Sequence, residues 1–230
     1  DQLGCGAHWP LDSGESRALA ARGKKPTALH NNCSGKHCGF LAVATIRGLA
    51  MAGYTDANHP VMREVTNAIS HVTGVNLDES QACLDGCAIP AFSMPLVSVA
   101  TGFARLGTGE GLSPLLARAA ERIRTAIVQN PIMLSGAGRV DTCITEESRG
   151  EVFVKSGAEG VMAASIPALG YGLAVKIDDG AQRAATAVMA NLLLQILQKD
   201  GIATANAIEA LTGHARFQLK NWNGTVVGAA

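Results

Sequence analysis

Between residues 151 and 177 three short runs rich in β-branched residues follow one another closely, and a long helical pattern comes straight after them. Glu151-Val152-Phe153-Val154-Lys155 reads as a strand, and 161–166 and 169–177 read as two more, with Pro167 and Gly170 at their junction. The helix expected over 181–198 puts Ala185, Val188, Met189, Leu192, Leu193 and Ile196 on one side. Three neighbouring strands with a helix to cover them imply an antiparallel sheet packed with helices on one or both faces. The fold class expected is therefore α+β, an α/β sandwich.

The rest of the chain reads as mainly helical. Residues 1–35 are polar and irregular, broken by Pro10, Gly14 and Pro26. Helices are expected over 36–51, carrying Phe40, Leu41, Val43, Ala44, Ile46 and Leu49, and over 60–72, with Pro60 in the first turn and Asn58 as its cap. Residues 74–94 hold Cys83 and Cys87 between turn signals, and two more helices are expected over 95–105 and 114–129. The glycines of 107–111 suggest a flexible connector. No repeat or low-complexity tract is visible.

Composition removes several function classes. With 230 residues, 47% of them hydrophobic, the chain can bury one large core or two small ones. Its 19 basic and 19 acidic residues cancel, and no basic stripe alternates with aromatics, which argues against nucleic acid. The apolar runs are too short or too broken to span a bilayer. Six cysteines could form a disulfide framework, but Cys33, Cys38, Cys83 and Cys87 sit in motif-like pairs that better suit metal binding or reduced packing. Reduced thiols and the lack of an export pattern make the cytoplasm the expected location.

Chemistry is concentrated in His30-Asn31-Asn32-Cys33-Ser34-Gly35-Lys36-His37-Cys38, just ahead of a helical pattern. A helix start favours anions, so a thiolate costs little there. Thiolates, imidazoles and neutral amines suit zinc, and Cys33, Lys36, His37, Cys38 and the distant Cys87 are candidate ligands. No CxxC or HExxH spacing supports them, and free cysteines are often small buried apolar groups instead. Cys5-Gly6-Ala7-His8 reads as a packed turn, and His71 and His214 as helix-face residues.

Lys155-Ser156-Gly157, at the end of a strand, has the form of the Lys-Ser/Thr-Gly element of serine hydrolases, which also need an upstream Ser-x-x-Lys. No Ser-x-x-Lys occurs in the chain, and Ser34 and Lys36 are one residue too close to replace it on a helix face. A third candidate is Gly136-Ala137-Gly138-Arg139 with Asp141-Thr142. Small residues there let backbone approach a ligand, and Arg139 could grip a carboxylate; alone it reads equally as a loop with a surface arginine.

Five segments in order resemble the bacterial L-asparaginase II family of the Rhizobium type, the class 3 asparaginases. They are Cys33-Ser-Gly-Lys-His37, Asp85-Gly-Cys-Ala-Ile-Pro90, Leu134-Ser-Gly-Ala-Gly-Arg139, Val154-Lys-Ser-Gly-Ala-Glu-Gly160 and Val175-Lys-Ile-Asp-Asp-Gly180, and Cys5-Gly-Ala-His8 resembles a sixth. The resemblance implies a serine β-lactamase-like or penicillin-binding-protein-like fold over a single catalytic domain, 1–230. It implies hydrolysis of L-asparagine to aspartate and ammonia by a serine–lysine mechanism, and a homodimer. It also implies Zn2+ held by Cys33, Lys36 and Cys87, with Asp85 beside it; a lysine ligates only as a free amine, so metal must displace its proton. Lys155 matches the lysine of one serine–lysine pair, with Arg139, Ser156 and Gly157 near the substrate. The paired serine and the Ser-x-x-Lys would lie upstream of Asp1, so the 230-residue chain is expected to be inactive alone. A serine-dependent glutaminase and a non-catalytic, zinc-stabilised binding fold are the alternatives.

Overall fold

A computed structural model describes residues 2–202 and 204–229, Gln81 by its backbone alone. The described residues form two compact units with separate apolar cores. One takes the chain up to His71 together with Val75–Met94, and the other takes Val72–Gly74 and the chain from Pro95 onward.

In the first unit, helix α1 (Ser13–Ala21) occupies part of the stretch expected to be irregular. Its start is fixed by Asp12, whose carboxylate accepts from Glu15 N at 2.8 Å. After a single 3-10 turn at Ala28–His30, helix α2 (Ser34–Arg47) begins with Cys33 as its N-cap and stops at Gly48, in the left-handed region at φ 65°. Helix α3 (Pro60–Thr73) starts where Pro60 predicts, but the expected cap is wrong. His59, not Asn58, receives Val61 N–H on its Nδ1 at 3.2 Å, while its Nε2 meets Ala50 O at 2.9 Å. The pair β1 (Cys83–Leu84) and β2 (Pro90–Ala91) forms a minimal antiparallel hairpin. Its turn carries Cys87 into a core with Cys5, Ala44, Val61, Met62 and Ile89.

The second unit holds α4 (Leu96–Thr108), α5 (Pro114–Gln129), the one-turn α6 (Ile132–Ser135) and α7 (Val140–Glu147). The three-stranded sheet follows: β3 (Phe153–Ser156), β4 (Val161–Ile166) and β5 (Tyr171–Lys176), antiparallel in that order. Helices α8 (Gln182–Asp200) and α9 (Ala205–Ala215) and the hairpin β6 (Gln218–Lys220) and β7 (Val226–Ala229) complete it.

Alternation along β4 explains the layering. Met162, Ala164 and Ile166 join Val154, Met189, Leu193 and Leu197 in the core on the α8 side. On the same sheet α4 packs against β4 and β5. Gly172 of β5 lies so close to α4 that a Cβ would collide with Ala100 O, and Gly107 meets Ser165 in the same way. Residues 107–111 are therefore only in part a connector: Gly107 and Thr108 finish α4, and glycine at 107 permits close packing. The mixed helix-and-sheet class expected from sequence is the class observed.

Candidate active site

Two polar centres stand out, one in each unit. The first is assembled around the start of α2. Asn31, buried, accepts Cys33 N–H on its Oδ1 at 2.8 Å and donates through Nδ2 to Cys5 O at 2.7 Å and Gly6 O at 3.1 Å. These bonds tie the Cys5-Gly6 segment to the helix entry and fix the backbone that carries Cys33. From the first turn of α2, Lys36 reaches across 51 positions of sequence, its Nζ donating to Cys87 Sγ at 3.2 Å. Cys87 comes from the turn after β1, in which Ala88 N–H donates to Asp85 O at 2.8 Å. In that turn Cys87 donates to Asp85 Oδ2 at 3.1 Å, and Lys36 Nζ lies 3.7 Å from the same oxygen. Donor atoms of Cys33, Asp85 and Cys87 all lie within 4.8 Å of one another.

Electrostatics at this centre follow from the contacts. Burial, then the hydrogen bond to Asp85, pushes the Cys87 thiol up to about 11. Burial works against charge on Lys36, but the bond to Cys87 and the charges of Cys33, Cys87 and Asp85 outweigh it and hold its pKa above the ordinary value. Asp85 is held below the ordinary carboxylate value, first by the bond from Cys87. Two thiols, an amine and a carboxylate form a donor set that suits zinc, which takes sulfur, nitrogen and oxygen tetrahedrally. To ligate a cation, Lys36 and Cys87 would each have to release a proton to solvent, and the hydrogen bond between them would give way to ligation.

The second centre lies where α6, α7 and β3 meet. Asp141, in the first turn of α7, is completely buried. Its Oδ2 accepts from Ser135 Oγ at 2.6 Å, Ser156 Oγ at 2.8 Å, Ser156 N at 3.0 Å and Lys155 Nζ at 3.1 Å. Lys155 also donates to Ser135 Oγ at 3.3 Å and to Ser156 O at 2.7 Å. Burial alone would raise the Asp141 carboxyl, but the donors from Ser135 and Ser156 and the Lys155 charge hold it below its ordinary value. The loop between α6 and α7 brings Ser135 back to Asp141. Gly136 takes φ 95°, and Thr142 Oγ1 donates to its carbonyl at 2.7 Å.

The profile of the L-asparaginase II family matches residues 1–230. The chain belongs to the L-asparaginase II family. A comparison with curated proteins gave no significant match.

Within this L-asparaginase II chain, Cys33, Lys36, Asp85 and Cys87 come together, and so do Lys155 and Ser156. Gly157 sits at the end of β3, where its N–H donates to Val161 O at 2.8 Å. Arg139 is exposed at the N-cap of α7. Cys38 and Cys83 are exposed and stand outside the cysteine cluster. His37 is buried in a different direction, its Nδ1 2.6 Å from Tyr54 Oη, which itself accepts from Gly4 N at 2.7 Å. Burial, and after it the charge of Lys36, lowers the His37 pKa below its ordinary value. His8 is engaged at both ring nitrogens, by Trp9 O at 2.6 Å and Asn32 at 2.9 Å, which agrees with a packed turn. Ser135 is the residue that sequence reasoning missed. In the sequence Asp141 stands out only as a neighbour of Arg139, because nothing in the spacing says that 136–139 folds back.

Proposed function

We propose that this L-asparaginase II chain takes part in hydrolysis of L-asparagine to L-aspartate and ammonia. Family membership supports an amidohydrolase acting on asparagine. The observation that carries the finer reading is the meeting of Cys33, Lys36 and Cys87 from distant parts of the sequence around one small volume. On this reading the fold is serine β-lactamase-like, residues 1–230 belong to one catalytic domain, and the enzyme works as a homodimer.

Cys33, Lys36 and Cys87 would hold Zn2+, with the Asp85 carboxylate alongside to balance charge or orient the substrate amine. When bound, zinc would supply a local positive charge able to polarise or orient an oxygen of the substrate. A serine attacks the side-chain carbonyl carbon, its proton passes to a lysine, ammonia leaves, and water releases the acyl group from that serine. Lys155 is the lysine of one such pair, supported by Ser156 and Gly157, and Arg139 is suited to the α-carboxylate of the amino acid.

Ammonia release from L-asparagine and L-glutamine, measured on the protein expressed from its whole reading frame, tests this. The expected result is hydrolysis of asparagine in preference to glutamine, lost in Lys155→Ala. Preference for glutamine would favour a serine-dependent glutaminase, since a single methylene separates the substrates. Ammonia from neither would leave a zinc-stabilised binding fold.

A further inference from the structure

We propose that Cys33 and Cys87 form a reversible disulfide when the metal-free chain meets a hydroperoxide, so that the cysteine centre of the first unit is also a redox site. The two sulfurs taken up by the bond are two of the three zinc ligands named above, and oxidation therefore withdraws the site from the metal. This adds regulation to the zinc-site reading and rests on it for that consequence, while the bond itself depends only on the two thiols.

Position argues for this pair over any other. The donor atoms of Cys33, Asp85 and Cys87 lie within 4.8 Å of one another, so the two sulfurs are no further apart than that. A disulfide needs about 2 Å between them. Rotation about Cα–Cβ between staggered positions moves a sulfur by about 3 Å, which is enough to close the gap. The backbone is held on both sides: Asn31 Oδ1 accepts Cys33 N–H at 2.8 Å, and Ala88 N–H donates to Asp85 O at 2.8 Å in the turn that carries Cys87. Cys5 shares the core but points its thiol at Ala28 O, 3.5 Å away. Cys38 and Cys83 are exposed and outside the cluster, and Cys143 belongs to the second unit.

Cys33 is half-buried and Cys87 is buried, so a small peroxide reaches Cys33 first. The Cys33 sulfur attacks one oxygen of hydrogen peroxide, the O–O bond breaks, and the other oxygen leaves as water with the thiol proton; Cys33 is now a sulfenic acid. The Cys87 sulfur then attacks that sulfur. The S–S bond forms, the S–O bond breaks, and the hydroxyl leaves with the Cys87 proton as a second water. Two thiols are oxidised to one disulfide, and one peroxide is reduced to two waters. The surroundings suit the product. A disulfide carries no charge and fits a core of Ala44, Val61, Met62 and Ile89, while Lys36 Nζ keeps Asp85 Oδ2 at 3.7 Å as its counter-charge.

Peptide mapping without reductant tests this. The full chain is stripped of metal with a chelator, with exposed Cys83→Ser substituted so that Cys87 is the sole cysteine of tryptic peptide 64–105. It is treated with hydrogen peroxide, alkylated with iodoacetamide, digested and read by mass spectrometry. Peptides 25–36 and 64–105 are expected joined, two hydrogens lighter than their sum, and parted again by dithiothreitol. The link should be lost in Cys33→Ser, and its yield should fall in urea and in protein loaded with Zn2+ before oxidation. Cys33 and Cys87 both recovered alkylated, or Cys33 carried on to sulfinic acid, while exposed Cys38 of the same sample is oxidised, would overturn the proposal. A link from either sulfur to Cys5, or equal yield folded and in urea, would do the same. Should Cys33→Ser fail to fold, the folded-to-urea comparison decides. Zinc bound by the reduced chain with no link on oxidation would remove the redox proposal alone. A link in a chain that binds no zinc when reduced would keep the bond and remove the zinc reading.

Discussion

Asp141 shows how much one buried residue can determine. Its carboxyl lies below the ordinary value of 3.8 because three donors from Ser135 and Ser156 together with the Lys155 cation favour the charged form more than burial disfavours it. A depressed carboxyl means that the folded state takes up its proton later than the unfolded state on acidification. The stabilisation is therefore complete above pH 3.8 and is lost as pH falls through the folded-state value. Urea denaturation of wild type and Asp141→Asn from pH 7 downward should show a wild-type advantage that shrinks below about pH 4. A stability difference that stays constant to pH 2 would contradict this. Cys87 works in the opposite sense: burial and its bond to Asp85 push the thiol up to about 11, so it would have to release a proton to ligate a cation. Metal affinity should accordingly weaken in acid.

At the scale of elements, the turn between β1 and β2 is the most constrained piece of the first centre. Ala88 adopts φ 67°, a left-handed conformation that costs a non-glycine residue about 1–2 kcal/mol. Ala88→Gly should raise the unfolding free energy by about 1 kcal/mol in denaturant titrations while leaving metal content unchanged. A fall in stability would show that the alanine side chain contributes packing beyond relieving that strain. Helix α5 and the strands β3, β4 and β5 were legible because their apolar spacing is local and regular. Helices α1, α7 and α9 and both short hairpins were not, being brief and fixed by single caps or turns such as Asp12. The first site could not be found by spacing, since Lys36 and Cys87 meet only through tertiary packing; resemblance to a family supplied that grouping. The second site required the reversal at Gly136 that returns Ser135 to Asp141, and no periodicity encodes it.

For the whole molecule, two compact units each carry one centre, and the family match runs through both. The second unit builds its core where α8 covers the sheet and α9 packs against α8 and α7, with Leu193, Leu197 and Leu211 fully enclosed. The first has a smaller core, in which Cys5 and Cys87 are themselves buried members, so its sulfur chemistry and its packing share residues. Among the described residues no helix is long and apolar enough to cross a membrane. The account as a whole depends on Cys33, Lys36 and Cys87 acting as one ligand set. Zinc content after equilibrium dialysis at pH 8, measured by mass spectrometry on wild type and Cys87→Ala, tests that most directly. Stoichiometric zinc in the wild type and its loss in the variant are predicted; equal zinc in both, or none in the wild type, would contradict the assignment.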